Sequence, residues 1–160
     1  MTLVIRKQLE KEPETNIAHI NAFPQWFKFV VDHTDLNGGG TAATITLCSL
    51  PIKSWVHAVH WQTTTSWVGT SPATQIQVEL GDEDDRDRWL ANTQIWTSGG
   101  GSVAIEDAIG LIPWEPDFSN THDLEAWFGV AGFGPDLDDI TAGEITFWFL
   151  LSSMNGGSAS

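Results

Sequence analysis

The chain has no tyrosine, one cysteine, two methionines and only seven lysines and arginines among 160 residues. Each scarcity removes a class of explanation. A lone cysteine, Cys48, cannot close an internal disulfide, and its place in the strand-like run TITLCSL makes it a small buried hydrophobe rather than a nucleophile. Seven bases against 21 acids leave a net charge of −14. Nucleic-acid binding needs a basic patch to neutralise phosphates, so direct contact with DNA or RNA is not expected. No apolar run approaches the roughly 20 residues that a membrane-crossing helix needs. The opening MTLVIRKQLEKEPETN places charges where a secretory signal would have its apolar core. One soluble domain is therefore expected, with neither a targeting segment nor a membrane anchor.

Motifs for chemistry are missing as well. There is no Gly-x-Ser-x-Gly elbow, no dinucleotide fingerprint and no zinc-protease motif. NGGGT and SGGGS resemble phosphate-cradling loops only superficially, because neither opens a helix with a lysine. His57 and His60 are three apart, but their segment alternates as a strand and sends them to opposite faces. His19, His33 and His122 have no ligand spacing. These readings point to a protein that is not an enzyme and that uses no cofactor or metal.

What the chain does have is acid and tryptophan. In LGDEDDRDRWL, Leu80 to Leu90, five carboxylates (Asp82, Glu83, Asp84, Asp85, Asp87) and two arginines share a seven-residue run. A calcium loop of the EF-hand type needs a central glycine and a bidentate glutamate at position twelve, and both are missing here. Catalytic carboxylates would have to face each other across a cleft, whereas neighbours on one turn point into water. The stretch reads as an acidic surface loop leaving a strand, suited to a basic neighbour. Nine tryptophans and eight phenylalanines supply large side chains for a core, with some left over to face a partner protein or a sugar.

Organisation along the chain is that of strands. QWFKFVVDH puts Phe27, Phe29 and Val31 on one face, and TQIQVELG puts Ile76, Val78 and Leu80 inward with Gln77 and Glu79 outward. TAATITLCSL is β-branched and ends at Pro51. SWVHAVHWQTTTSWV follows, with Trp55, His57, Val59 and Trp61 on one side. LEAWFGVAG alternates through Leu124, Ala126, Phe128 and Val130, and EITFWFLLSS is apolar on both faces, as a central strand would be. TSGGGS at 97 to 102 reads as a long loop, because neither half of the chain could bury a sufficient core alone. GPDLDDITAGE reads as a turn-rich link. The expected fold is all-β, an antiparallel β-sandwich or jelly roll over residues 22–152, with an N-terminal arm over 1–21 and a flexible tail over 153–160.

The succession TAATITLCSLP, IKSWVHAVHWQTTTSWVG and TQIQVELGDEDDRDRWL, followed by DLDDITAGEITFWFLLS, resembles a recurrent pattern in small virion proteins of tailed bacteriophages. The resemblance implies a jelly-roll or sandwich protein carried on the particle, either cementing and decorating the capsid or forming part of a tail or fibre. It implies as partners the major capsid protein or other virion proteins, a homo-oligomer with a trimer favoured, and a place in the virion. The arm is basic through Arg6, Lys7 and Lys11, and a flexible arm can order along neighbouring subunits. Leu3, Ile5, Arg6, Lys7 and Lys11, with Trp26 and Trp114, are the expected partner-binding residues. A carbohydrate-binding module of a tail fibre is the alternative, in which a tryptophan stacks on a pyranose and loop carboxylates accept its hydroxyl hydrogen bonds.

Overall fold

A computed structural model describes residues 3–5, 23–97 and 121–153, and of 3–5 the backbone alone. Eight strands run along them: β1 Leu3–Ile5, β2 Gln25–Asp32, β3 Ala42–Leu50, β4 Ser54–Gly69, β5 Ala73–Asp82, β6 Leu90–Thr97, β7 His122–Gly132 and β8 Ile140–Ser153. They form two four-stranded sheets in the orders β1-β2-β8-β4 and β3-β7-β5-β6. The chain pairs as a folded ribbon, β2 with β8 in the first sheet and β3 with β7 and β5 with β6 in the second, so that successive strands β2, β3, β4 and β5 fall in alternate sheets. That winding is the jelly-roll form of a sandwich, and the all-β expectation holds. All pairings are antiparallel except β1 with β2, where Leu3, Val4 and Ile5 run parallel to Phe27, Lys28 and Phe29. No helix among the described residues is long and apolar enough to cross a membrane.

The period-two pattern sets which face each strand buries. Phe27, Phe29 and Val31 lie opposite Phe149, Phe147 and Ile145, which in turn lie opposite Val59, Trp61 and Thr63 on β4. Ile76, Val78 and Leu80 of β5 meet Val130, Phe128 and Ala126 of β7 in the other sheet, and all six are buried. Aromatic contacts fill the core: Phe29 and Phe149 of the first sheet meet edge to face at 5.8 Å, Trp89 meets Phe149 at 5.6 Å, and Trp67 of that sheet tilts on Phe128 of the other at 5.7 Å. Each such side chain contributes roughly 1.5–3 kcal/mol of burial free energy. Strand β8 is the centre of its sheet, as its two-sided apolarity requires.

Bulges in β4 and β3 shift the faces from those a strict alternation gives. In β4 the register slips between Val56 and Ala58, so His57 is an extra residue and the strand's parity changes there. Trp55 and His57 therefore point outward while Val59 and Trp61 point inward, and His57 and His60 share the outer face instead of being divided. His57 Nε2 lies 2.6 Å from Ser152 Oγ, and His60 packs on Trp148. In β3 the slip between Thr46 and Cys48 buries Leu47 and Cys48 together. Burial, and then the nearby Asp123 charge, push the Cys48 thiol well above its ordinary range, which suits an inert hydrophobe.

The expected turn-rich link after residue 133 is shorter than the composition suggests. A single 3-10 turn, Leu137–Asp139, leads directly into β8, so ITAG belongs to the strand. At this end of the sandwich three loops are fastened together. Gly40 N–H donates to Asp136 Oδ2 at 2.9 Å, Leu137 N–H donates to the Gly40 carbonyl at 2.8 Å, and Thr70 N–H donates to the Asp139 carbonyl at 2.8 Å. Hydrogen bonds from the Asp138 and Gly40 N–H groups hold the Asp136 carboxyl below its usual range. At the other terminus β8 runs through buried Ser153, so the strand takes the first residue of the expected tail.

Candidate functional site

The acidic stretch is the most elaborately built surface feature. Strand β5 exits through Leu80, Gly81 and Asp82, and the chain returns when Trp89 N–H donates to the Leu80 carbonyl at 2.9 Å. Asp82 is only 1% exposed, which corrects the expectation of five solvated carboxylates. It faces inward because it pairs with Leu124, an inward residue of β7. Its carboxylate accepts from the N–H groups of Asp84 at 3.0 Å and Asp85 at 2.8 Å, and from Arg88 Nε at 2.6 Å. Arg86 folds the opposite way, pairs with Glu79 and lies over the Trp127 ring at 4.4 Å. Gly81 permits the fold-back, since a Cβ there would sit 2.5 Å from the Arg86 carbonyl carbon and closer still to the Asp85 carbonyl oxygen.

The two arginines thus neutralise the base of the loop, and Glu83, Asp84 and Asp87 remain exposed. Glu83 accepts from Asp123 N–H at 3.2 Å. Buried His122 Nδ1 faces Glu83 Oε1 at 3.5 Å and Asp84 Oδ2 at 3.8 Å. Among the described residues no group of three or more His, Cys, Asp or Glu side chains is placed to hold a metal ion.

Glu125 stands beside this loop. Burial, then the charges of Asp123, Glu83 and Asp82, raise its carboxyl above the usual range. A raised folded-state value favours the protonated form, so the folded protein gains from Glu125 at low pH and loses that gain as pH rises through the folded value. Glu125→Gln is therefore expected to stabilise the protein at pH 7 by a few tenths of a kcal/mol, the scale of exposed charge pairs. The advantage should vanish below about pH 4, where a glutamate is neutral anyway. Thermal melts of both proteins across that range check it, and an advantage that grew on acidification would contradict it.

The expected partner-binding residues are scattered. Leu3 and Ile5 lie in β1, whose backbone extends the edge of the first sheet. Arg6, Lys7, Lys11 and Trp114 lie outside the described residues. Trp26 is 40% exposed on the outer face of that sheet, opposite Leu150 and one step along from Lys28 and Trp148. Lys28 Nζ stands over the Trp148 ring at 5.8 Å. Of the other described tryptophans, Trp61, Trp67 and Trp96 belong to the core. Trp127 has no open ring for stacking: Arg86 covers it, and its edge lies over Gly129, where a Cβ would come within 2.5 Å of Cη2.

Among the described residues the most exposed large apolar side chains are phenylalanines, not tryptophans. Phe133 is 97% exposed and Phe23 is 81% exposed. The signal for Phe133 is present in GFGPD, where an aromatic stands between two glycines just past the last inward residue of β7.

Two sheets in this order, with large aromatics between them and acidic loops at both ends, can be set against known proteins. No protein-family model matches the chain, and no curated protein matches it. A solved structure does. A chain of the cyanophage Pam1 capsid asymmetric unit aligns with 80% of this chain and 83% of its own length, at a TM-score of 0.52 and 18% identity. The fold is shared with a phage capsid chain. A chain of the acid-stable capsid of Helicobacter pylori bacteriophage KHP30 aligns with 84% of this chain and 92% of its own, at a TM-score of 0.46 and 12% identity. At such identities the likeness is one of fold.

Proposed function

We propose that the chain is a structural, non-enzymatic virion protein of a tailed bacteriophage, a cement or decoration protein that stabilises the lattice of the major capsid protein. The observation that carries this reading is the all-β fold shared, over four fifths of the chain, with a chain of a phage capsid asymmetric unit. Cementing needs a rigid body with gripping points. The sandwich supplies the first, and exposed aromatics at its surface supply the second. In a trimer each copy would hold the lattice at once, so modest contacts would add up by avidity. The basic arm, Leu3 to Lys11, would reach neighbouring subunits through Arg6, Lys7 and Lys11, with Leu3 to Ile5 held on β2. The acidic loop, whose Glu83, Asp84 and Asp87 project from an internally neutralised base, would meet a basic neighbour.

Deletion of residues 1–21 is the test. Cement that grips through its arm should lose its place on the particle, with binding to capsid shells reduced by about tenfold or more, the scale of one lost avidity contact. Sedimentation of shells with bound protein measures it. Retention of full binding by the deletion variant would sink the arm's role. A tail-fibre lectin has less support, because Trp127 lies under Arg86 and Trp148 under Lys28, which leaves Trp26, 40% exposed, as the outer-face indole open to a sugar. Glycan binding that survived the deletion would restore it.

A further inference from the structure

Single exposed apolar side chains are common on proteins, so the 97% exposure of Phe133 carries nothing by itself. Its mounting does. The loop turns through Gly132 at φ 157° and Gly134 at φ 70°. A Cβ at 132 would sit 3.1 Å from the Pro72 carbonyl carbon and closer still to its oxygen, so the loop is pressed against the β4–β5 connection. Three residues on, Asp136 accepts from Asp138 N–H at 3.0 Å and from Gly40 N–H at 2.9 Å, while its own N–H donates to Asp139 Oδ2 at 2.9 Å. Leu137 is fully buried beneath. The phenyl ring is thus held out in water by a loop fastened on both sides, and little further ordering is needed for it to enter a pocket.

Charge says what kind of pocket. Asp136, Asp138 and Asp139 share the loop with Phe133, and Asp32 and Asp35 lie on the adjoining one. Among the described residues, loops 33–41, 70–72 and 133–139 contain no lysine or arginine. A second copy of this chain would meet this end poorly. Its described ends are acidic too, and of its four described bases Arg86 and Arg88 are engaged with Glu79 and Asp82 and Lys28 lies over Trp148, which leaves Lys53 alone against five aspartates.

We propose that Phe133 is an anchor by which this end of the sandwich docks on a different protein, seated in an apolar pocket bordered by lysine or arginine side chains. The inference rests on the virion reading for its partner, the capsid lattice. It assigns the contact to a residue outside the arm, at the end of the sandwich opposite to that at which β2 begins. Rigid aromatics that fill pockets are the usual carriers of binding energy.

The test uses the full chain and empty shells assembled from the major capsid protein encoded by the same genome. Phe133→Ser is expected to bind about 30-fold or more weakly, a hot-spot effect, with an unchanged melting midpoint because the side chain packs against nothing. Phe133→Leu should keep most of the affinity. Asp138→Asn should slow association by a few fold and flatten its salt dependence. Equal binding by Phe133→Ser and the unaltered chain would overturn the anchor and leave the virion reading standing. Failure of the unaltered chain to bind shells would overturn both. If Phe133→Ser instead lost self-association while still binding shells, the anchor would belong between copies and the proposal would be wrong.

Discussion

Replacing Gly143 by alanine is expected to destabilise the protein by at least about 3 kcal/mol, the range of an overpacked and strained core position. Gly143 sits in β8 at φ 146°, a backbone region that side-chain-bearing residues rarely adopt. The reason lies across the sheet. Between Thr65 and Val68 the β4 register slips against β8, and the surplus residues let Trp67 turn inward, where it is 1% exposed and tilts on Phe128. Its indole occupies the space that a side chain at 143 would need: a Cβ would come within 2.7 Å of Trp67 Cγ and closer to Cδ2 and Cε3. Backbone holds one side of this contact and a fully buried ring the other, so neither can give cheaply. For a chain of this size the cost corresponds to a fall in Tm of roughly 6–12 °C, and the buried Trp67 should report it as altered fluorescence. A denaturation midpoint within about 0.5 kcal/mol of the unaltered protein would show that Trp67 relocates freely.

The contrast between what alternation predicts and what it misses has a physical origin. Phe27, Phe29 and Val31, then Ile76, Val78 and Leu80, then Leu124, Ala126, Phe128 and Val130 are all buried as their spacing requires, because a strand with one face in the core has no other way to place them. Bulges break the inference. Nothing in SWVHAVHW marks His57 as an extra residue, since a bulge is a backbone event that many side chains tolerate, and from there the histidines change faces. The exposure of Phe133 is only half legible: GFGPD marks a loop tip, but how far the ring stands out depends on how neighbouring loops meet, and Gly40 and Pro72 are distant in sequence. Asp82 was legible in principle. It continues the even-numbered inward series of β5 after Leu80, and Arg88, six residues on, is the partner that a buried carboxylate needs. The surrounding run of charge masks that parity, because Glu83, Asp84 and Asp87 are exposed.

Asp82→Ala should accordingly lower stability by about 3 kcal/mol, the lower end of the range for removing one partner of a buried ion pair. Asp87→Asn, at an exposed position of the same loop, should change it by less than about 0.5 kcal/mol. The difference follows from what each carboxylate touches. Without the Asp82 carboxylate, Asp84 N–H, Asp85 N–H and Arg88 Nε lose their nearest side-chain acceptor, Arg88 keeps Asp85 Oδ2 only at 3.9 Å, and Arg88 is only 24% exposed, so water replaces it incompletely. Asp82→Asn keeps a carbonyl oxygen for the backbone donors and should recover part of the loss. Pairing each change with Arg88→Met isolates the ionic contribution: a coupling above about 1 kcal/mol is expected between Asp82 and Arg88 and none between Asp87 and Arg88. The loop's shape should fail along with its stability. Arg86 is held over Trp127 by the same turn that Asp82 ties, so its release should change indole emission, and Glu83 and Asp84 should lose their fixed orientation toward a basic partner. If Asp82→Ala behaved like Asp87→Asn in both melting and fluorescence, the loop would be a solvated turn after all, and the electrostatic contact proposed for it would have no structural basis.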